Sequence, residues 1–152
     1  MAAPKSQFSC SIKNDAIKIS RSVAATQGDS SLKIQFMRTL RVPANAPADS
    51  TLPPGLGQFP LDKVHDYPGM FPREISRGGD GVFFPMYPEE SMWISFKSQD
   101  PYMIKVYAGD VNVVSGEHKY EGSETEARLR LRYHSQKRVQ DYVAAPKQLS
   151  VA

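Results

Sequence analysis

The chain has 152 residues, of which 40% are hydrophobic and 23% charged, and these ordinary globular values exclude a collagen-like or wholly disordered protein. Nineteen Lys and Arg against 16 Asp and Glu leave a formal net charge of +3, an excess too small to demand nucleic acid, so we expect no such partner. No apolar run approaches the length of about 18 residues that a membrane-spanning helix needs, so no membrane span is predicted.

The cysteine count and the first residues of the chain indicate the cellular compartment in which the protein is expected. One cysteine cannot form an internal disulfide or a Cys-based zinc site. The first 15 residues hold two Lys and no apolar core, so they do not form a secretory signal. A cytoplasmic protein is therefore the default expectation, and secretion would require a signal removed ahead of residue 1.

An N-terminal hairpin is predicted within an extension covering residues 1–30. Apolar residues alternate with polar ones on both sides of Asn14 and Asp15, namely Phe8, Cys10 and Ile12 before them and Ile17 and Ile19 after them. Asn and Asp tolerate positive φ, which a tight hairpin turn requires. For Cys10 two interpretations stay open: a small buried hydrophobe, or an intermolecular disulfide.

The next element is a strand over residues 32–42, where Leu32, Ile34, Phe36, Leu40 and Val42 share one face and Arg38 interrupts it. Residues 43–80 differ, because 10 of the 12 prolines lie between residues 43 and 101 and proline interrupts regular sheet and helix. Large apolar residues in the same stretch exclude a disordered linker. We therefore predict a long, ordered and packed proline-rich loop over 43–80, with one helical turn near 61–67.

Strands are predicted again at 82–87, 92–97, 102–108, 111–115 and 139–144. Residues 127–133 alternate Ala, Leu and Tyr with Arg, which indicates either a strand or a short helix, and the strict alternation favours the strand. The sum is an all-β fold: one domain over 1–152, a sandwich or barrel of about eight to nine strands. The residues predicted for its core are Phe36, Ile94, Phe96, Ile104 and Val106.

Several short segments, taken together and in order, resemble a family of uncharacterised proteins of bacteria and fungi. They are QFMRTLRVP (35–43), LPPGLGQFPL (52–61), GVFFPMY (81–87), MWISF (92–96), IKV (104–106), VNVVSG (111–116) and QDYV (140–143). The resemblance covers residues 32–146 and implies no catalytic residue. Many members continue past the last segment into a second β-rich half, whereas the tail from 146 to 152 departs from that continuation.

A metal or proton-transfer site is one candidate chemistry. Asp62, His65 and Asp66 are spaced so that one helical turn would bring their side chains together, and such groups bind metals or move protons. The same residue types are also common at caps and surfaces. No cofactor is predicted, and an enzyme around these residues and Asp80 is the second alternative for the function.

Surface aromatics give the other candidate site. Trp93, Tyr87 and Tyr107 lie in predicted strands, where exposed rings stack on sugars and buried rings fill a core. A carbohydrate or small-ligand binding module is therefore the alternative function. The leading prediction is a non-enzymatic interaction or self-assembly module that forms homo-oligomers through the proline-rich segment and exposed sheet edges.

Overall fold

The computed structural model describes residues 7–22, 31–43, 45, 54–77, 81–120, 122–136 and 140–146. The chain groups into two compact units, Met1–Lys97 and Ser98–Ala152, and each is described here by itself. Strands predominate, helices are few and the sheets are not closed, so the all-β prediction is confirmed at the level of class. The single-domain arrangement stays a prediction.

The first unit is built on a four-stranded sheet. Its strands are β1 (Gln7–Ile12), β2 (Ile17–Ser22), β3 (Ser31–Thr39), β4 (Asp62–Lys63), β5 (Val82–Phe83) and β6 (Ser91–Ser98), with a 3-10 turn at Val64–Asp66 and the short helix α1 at Arg73–Ser76. The large sheet has the order β1-β2-β3-β6, and β4 pairs with β5 in a separate small sheet. The 3-10 turn lies where one helical turn was predicted.

The predicted hairpin is confirmed and its turn has the expected backbone. β1 pairs antiparallel with β2, and Lys13 and Ala16 exchange both backbone hydrogen bonds at 3.0 and 3.2 Å. Asn14 and Asp15 between them have φ of 52° and 53°. Two central residues with positive φ define a type I′ turn, whose twist matches that of the two strands.

The second half of β3 is paired by part of the proline-rich stretch. The Phe59 amide donates to the Phe36 carbonyl at 2.9 Å, and the Leu56 amide donates to the Arg38 carbonyl at 2.8 Å. This pairing turns Phe59 inward, where it is 0% exposed and lies 4.8 Å from the Phe84 ring, centroid to centroid. Leu61 and Val64, which come next along the chain, are also buried in the core.

The core therefore lies partly outside the predicted residues. Phe36, Ile94 and Phe96 are half-buried, and the most hidden positions of β3 and β6 include the polar Gln35 and Ser95. Gln35 is satisfied there because its amide donates to the side-chain oxygen of Gln58. Alternation identifies which side chains of β3 and β6 share a face of the sheet. It does not show that the residues that pack over this face come from segment 56–64.

The second unit combines short strands with one helix. Its elements are β7 (Tyr102–Ile104), β8 (Tyr107–Ala108), β9 (Val111–Asn112), α2 (Ser123–Gln136) and β10 (Val143–Ala145). β10 pairs antiparallel with β7, and β8 pairs antiparallel with β9. Ile104 and Val106, predicted as core, are half-buried.

The strand interpretation of residues 127–133 is wrong, because this segment lies within α2. Arg128 donates to the Glu117 carboxylate at 3.0 and 3.1 Å, and Arg132 reaches the same carboxylate and the Ser115 carbonyl. A spacing of four places both arginines on one helix face, whereas the alternating Leu131 is 71% exposed. Ala, Leu and Arg, which make up most of the segment, are also good helix formers.

The helices of the structure bear on membrane insertion. Across the described ranges, no helix combines the length and the apolar character needed to cross a bilayer.

Candidate functional site

The outer edge of β1 is the first feature that points to a function. β1 is the terminal strand of its sheet. Because Lys13 and Ala16 form a hydrogen-bonded pair, the antiparallel alternation makes Ser9 and Ser11 the next hydrogen-bonded positions toward β2. The backbone groups of the residues in between, Phe8, Cys10 and Ile12, therefore point outward. No strand in the described part of the chain pairs with that side.

The composition of this edge is unusual for an exposed strand. β1 reads Gln-Phe-Ser-Cys-Ser-Ile and has neither a charge nor a proline. Edge strands normally carry such features to prevent pairing with another chain. Phe8 is 57% exposed, and Cys10 is an exposed free thiol. The buried interpretation of Cys10 is thus wrong, because the strand lies at the rim of the sheet.

A cavity of about 640 Å³ lies beside the same hairpin. One wall comes from β1 and β2, with Cys10, Ser11, Ile12 and Ile17, and the other from β4, the 3-10 turn and β5, with Lys63, His65, Gly81 and Val82. The volume falls within the range of about 300–1,000 Å³ that is usual for small-molecule sites.

The two walls of this cavity differ in chemistry. The hairpin wall is largely apolar, through Ile12 and Ile17, whereas the opposite wall adds the Lys63 ammonium and the His65 imidazole. None of the lining residues within the described ranges carries a carboxylate. Asp62 precedes Lys63 on β4, and successive side chains of a strand point to opposite faces, so its carboxylate is directed away from the Lys63 side.

The helical geometry predicted for Asp62, His65 and Asp66 is not formed. Asp62 belongs to β4, where it pairs with Phe83, and the helical turn begins only at Val64. Their spacing therefore does not bring the three side chains onto one helix face. Within the ranges that the structure describes, no group of three or more His, Cys, Asp and Glu side chains is arranged to hold a metal ion.

The predicted aromatic residues are separated. Trp93 is half-buried on β6, and its buried indole Nε1 has no hydrogen-bond partner among the residues that the structure describes. Tyr87 is 72% exposed, in the stretch ahead of β6. Tyr107 belongs to the second unit, on β8. None of the ring contacts among the residues described joins Trp93 to Tyr87, so carbohydrate binding through these rings stays a prediction.

The second unit carries a surface ion pair beside β9. Lys119 Nζ lies 2.5 Å from Asp110 Oδ1, and His118 Nε2 lies 3.9 Å from Asp110 Oδ2. The hydrogen bond from Lys119 lowers the pKa of Asp110 below its ordinary value of 3.8, and the same bond raises the pKa of Lys119. A carboxylate with a lowered pKa adds stability above pH 3.8 that is lost as the pH falls through its folded value.

We expect the side-chain carbon of Asp110 to titrate below pH 3.8 in an NMR experiment on the folded protein, because Lys119 stabilises the ionised form. Lys119→Met should move the midpoint back toward 3.8. Lys105→Met, which removes the partner of Asp141 instead, should leave Asp110 unchanged. An Asp110 midpoint that does not respond to Lys119→Met would contradict this assignment.

Some site residues were not found from the sequence. Ile17 and Val82 were predicted only as strand residues, and Lys63 was not singled out. Their contribution depends on β4 and β5 lying across from the hairpin, which no local pattern indicates.

The comparisons with known proteins identify no relative of this chain. No protein-family model matches the chain, and neither a curated protein nor a solved structure shows significant similarity to it. The resemblance to the uncharacterised bacterial and fungal family therefore stays a prediction.

Proposed function

We propose that the protein is a non-enzymatic self-assembly module, in which two copies associate by antiparallel pairing of their β1 edges. The observation that carries the proposal is the uncharged outer edge of β1, with its outward backbone groups and its exposed Phe8. An unpaired row of amides and carbonyls is a template for another strand. Pairing of a strand with a second copy of itself gives a closed two-fold dimer.

The outward residues define the register of this dimer. Hydrogen-bonded pairs must form between outward-facing residues, so the longest symmetric pairing that includes all three of them is centred on Cys10. Phe8 then lies opposite Ile12 of the partner subunit, and Ser9 lies opposite Ser11 of the partner subunit. No like charges meet within this ribbon, because β1 has none.

The magnitude of the interaction sets the conditions for observing it. Each cross-strand pair contributes roughly 0.2–1 kcal/mol, and a five-residue ribbon is small beside a standard interface of about 1,600 Å². Exposed apolar side chains of the proline-rich segment, such as Leu56, are available to extend the contact. A weak dimer that forms in the micromolar range or above is therefore expected.

The proposal is tied to two further predictions. It goes with the open β-sandwich rather than the closed barrel, since a closed barrel leaves no free edge strand. It is also consistent with the predicted cytoplasmic location, because reducing conditions there keep the Cys10 thiol free. Association then depends on backbone pairing and not on a disulfide.

Paired charge variants test the proposal. In the register centred on Cys10, Ser9→Lys with Ser11→Lys places like charges opposite each other across the two-fold axis, whereas Ser9→Lys with Ser11→Glu places opposite charges there. We expect the first variant to be monomeric in analytical ultracentrifugation and the second to dimerise at least as well as the natural sequence. Denaturation at low concentration checks that both fold.

A natural chain that stays monomeric up to high micromolar concentration would overturn the proposal. Equal sedimentation of the two charge variants at a concentration where the natural chain dimerises would exclude the β1 register. Cross-linking with a short bismaleimide gives an independent check, because the dimer places the Cys10 side chains of both copies side by side on one face.

A further inference from the structure

We propose that the cavity beside the hairpin binds a small organic anion with an apolar body, of the class of medium-chain carboxylates. This inference is independent of self-assembly, because it concerns the side-chain face of the hairpin rather than the outward backbone groups of β1. It rests on three observations, which are the size of the cavity, the nature of its hairpin wall and the sign of its charge.

The size and the apolar wall indicate an apolar body. A cavity of about 640 Å³ encloses a ligand of drug-like size. Ile12 and Ile17 are cross-strand partners and thus lie on one face of the hairpin. Val82 on β5 faces the same space from the opposite wall. An aliphatic chain placed between these walls removes their apolar surface from water, which favours binding by about 25 cal/mol per Å².

The charge of the cavity selects an anion. Among the lining residues that the structure describes, Lys63 carries a full charge and none carries a carboxylate. A carboxylate head accepts a charge-assisted hydrogen bond from the ammonium, which is stronger than a bond between neutral groups. The His65 imidazole next to it offers a further donor. A cation would meet repulsion from Lys63, and a neutral ligand would lack the charge-assisted bond to its ammonium.

Decanoate is the probe that we would use, titrated below its micelle concentration and followed by methyl NMR. We expect the Ile12, Ile17 and Val82 methyl signals to shift together. Decanol, of the same length without charge, should bind more weakly by about three- to tenfold, because it lacks the charge-assisted bond to Lys63. Decyltrimethylammonium should bind more weakly still.

Variants assign the effect to the cavity. Lys63→Met keeps the length of the side chain and removes its charge, so it should weaken decanoate by about three- to tenfold and leave decanol unchanged. Lys63→Arg should retain decanoate binding. Lys97→Met, on the exposed part of β6 and outside the cavity, is the matched control and should change nothing. Val82→Trp should weaken both probes, because the larger ring takes up space at the β5 wall of the cavity.

Several results would overturn the inference. These are no methyl shift up to millimolar decanoate, equal affinity for decanoate and decanol, and a decanoate affinity that Val82→Trp leaves unchanged in a folded protein. Sedimentation of the same samples reports the oligomeric state separately, so a failure of this inference is distinguishable from a failure of the proposed dimer.

Discussion

Phe59→Ala is expected to lower the free energy of unfolding of the first unit by about 3–5 kcal/mol, because it removes a fully buried aromatic ring and leaves a cavity. The ring contacts Phe84 on one side, and the Arg38 guanidinium lies 4.9 Å from its centroid on another. Denaturant unfolding followed by the fluorescence of Trp93, the single tryptophan and a residue of this unit, measures the change.

Leu56→Ala is the matched control for Phe59→Ala. Leu56 lies three residues earlier in the same segment and is 58% exposed, so its truncation should change the free energy by no more than about 0.5 kcal/mol. Phe36→Ala should fall between the two, since Phe36 is half-buried. A loss below about 1 kcal/mol for Phe59→Ala would mean that the 56–59 segment does not cover the core.

Asn112→Ala is expected to destabilise the second unit by about 2–4 kcal/mol. Asn112 is 3% exposed; its Nδ2 donates to the Asp141 carbonyl at 2.8 Å, and its Oδ1 accepts from the amides of Val114 and Ser115. Alanine leaves these three backbone groups without their partner, at a cost of about 1–3 kcal/mol for each group that water cannot reach. Unfolding followed by circular dichroism of α2 measures this loss.

Asn112→Asp separates the two halves of the Asn112 network. Aspartate keeps an acceptor for the amides of Val114 and Ser115 but cannot donate to Asp141 when ionised. It should therefore retain part of the stability at low pH, where it is protonated and can donate, and lose more at neutral pH. Equal stability of the Ala and Asp variants at all pH values would contradict the assigned hydrogen bonds.

The part of the fold that could be predicted is the part that depends on neighbours in sequence. The hairpin followed from Asn14 and Asp15, because tolerance of positive φ is a property of the residues themselves. Residues 127–133 were assigned wrongly to a strand, because over seven positions strict alternation competes with helix propensity. What decides there is Glu117, whose carboxylate holds Arg128 and Arg132 at helical spacing.

The candidate site was less predictable than the fold. Alternation placed Cys10 on the same face as Ile12, but whether another layer covers that face depends on residues far along the chain. β4 and β5 stand across from the hairpin and leave space between them, so the face lines a cavity instead of a filled core. The helical spacing predicted for Asp62 and His65 is not formed, because Asp62 belongs to β4 and the 3-10 turn begins only at Val64.

The contacts of the hairpin turn also suggest an order in which the first unit folds. The Asp15 carboxylate accepts from the Leu61 amide at 3.2 Å, and the Gln58 side chain donates to the Asn14 carbonyl at 3.1 Å. A hairpin closes within about 1–10 μs, whereas contacts between residues so distant in the chain form later because the closure of long loops costs entropy. We therefore expect the turn to form before residues 58–61 dock against it. Slow refolding phases should therefore report on the docking of residues 58–61 rather than on the turn.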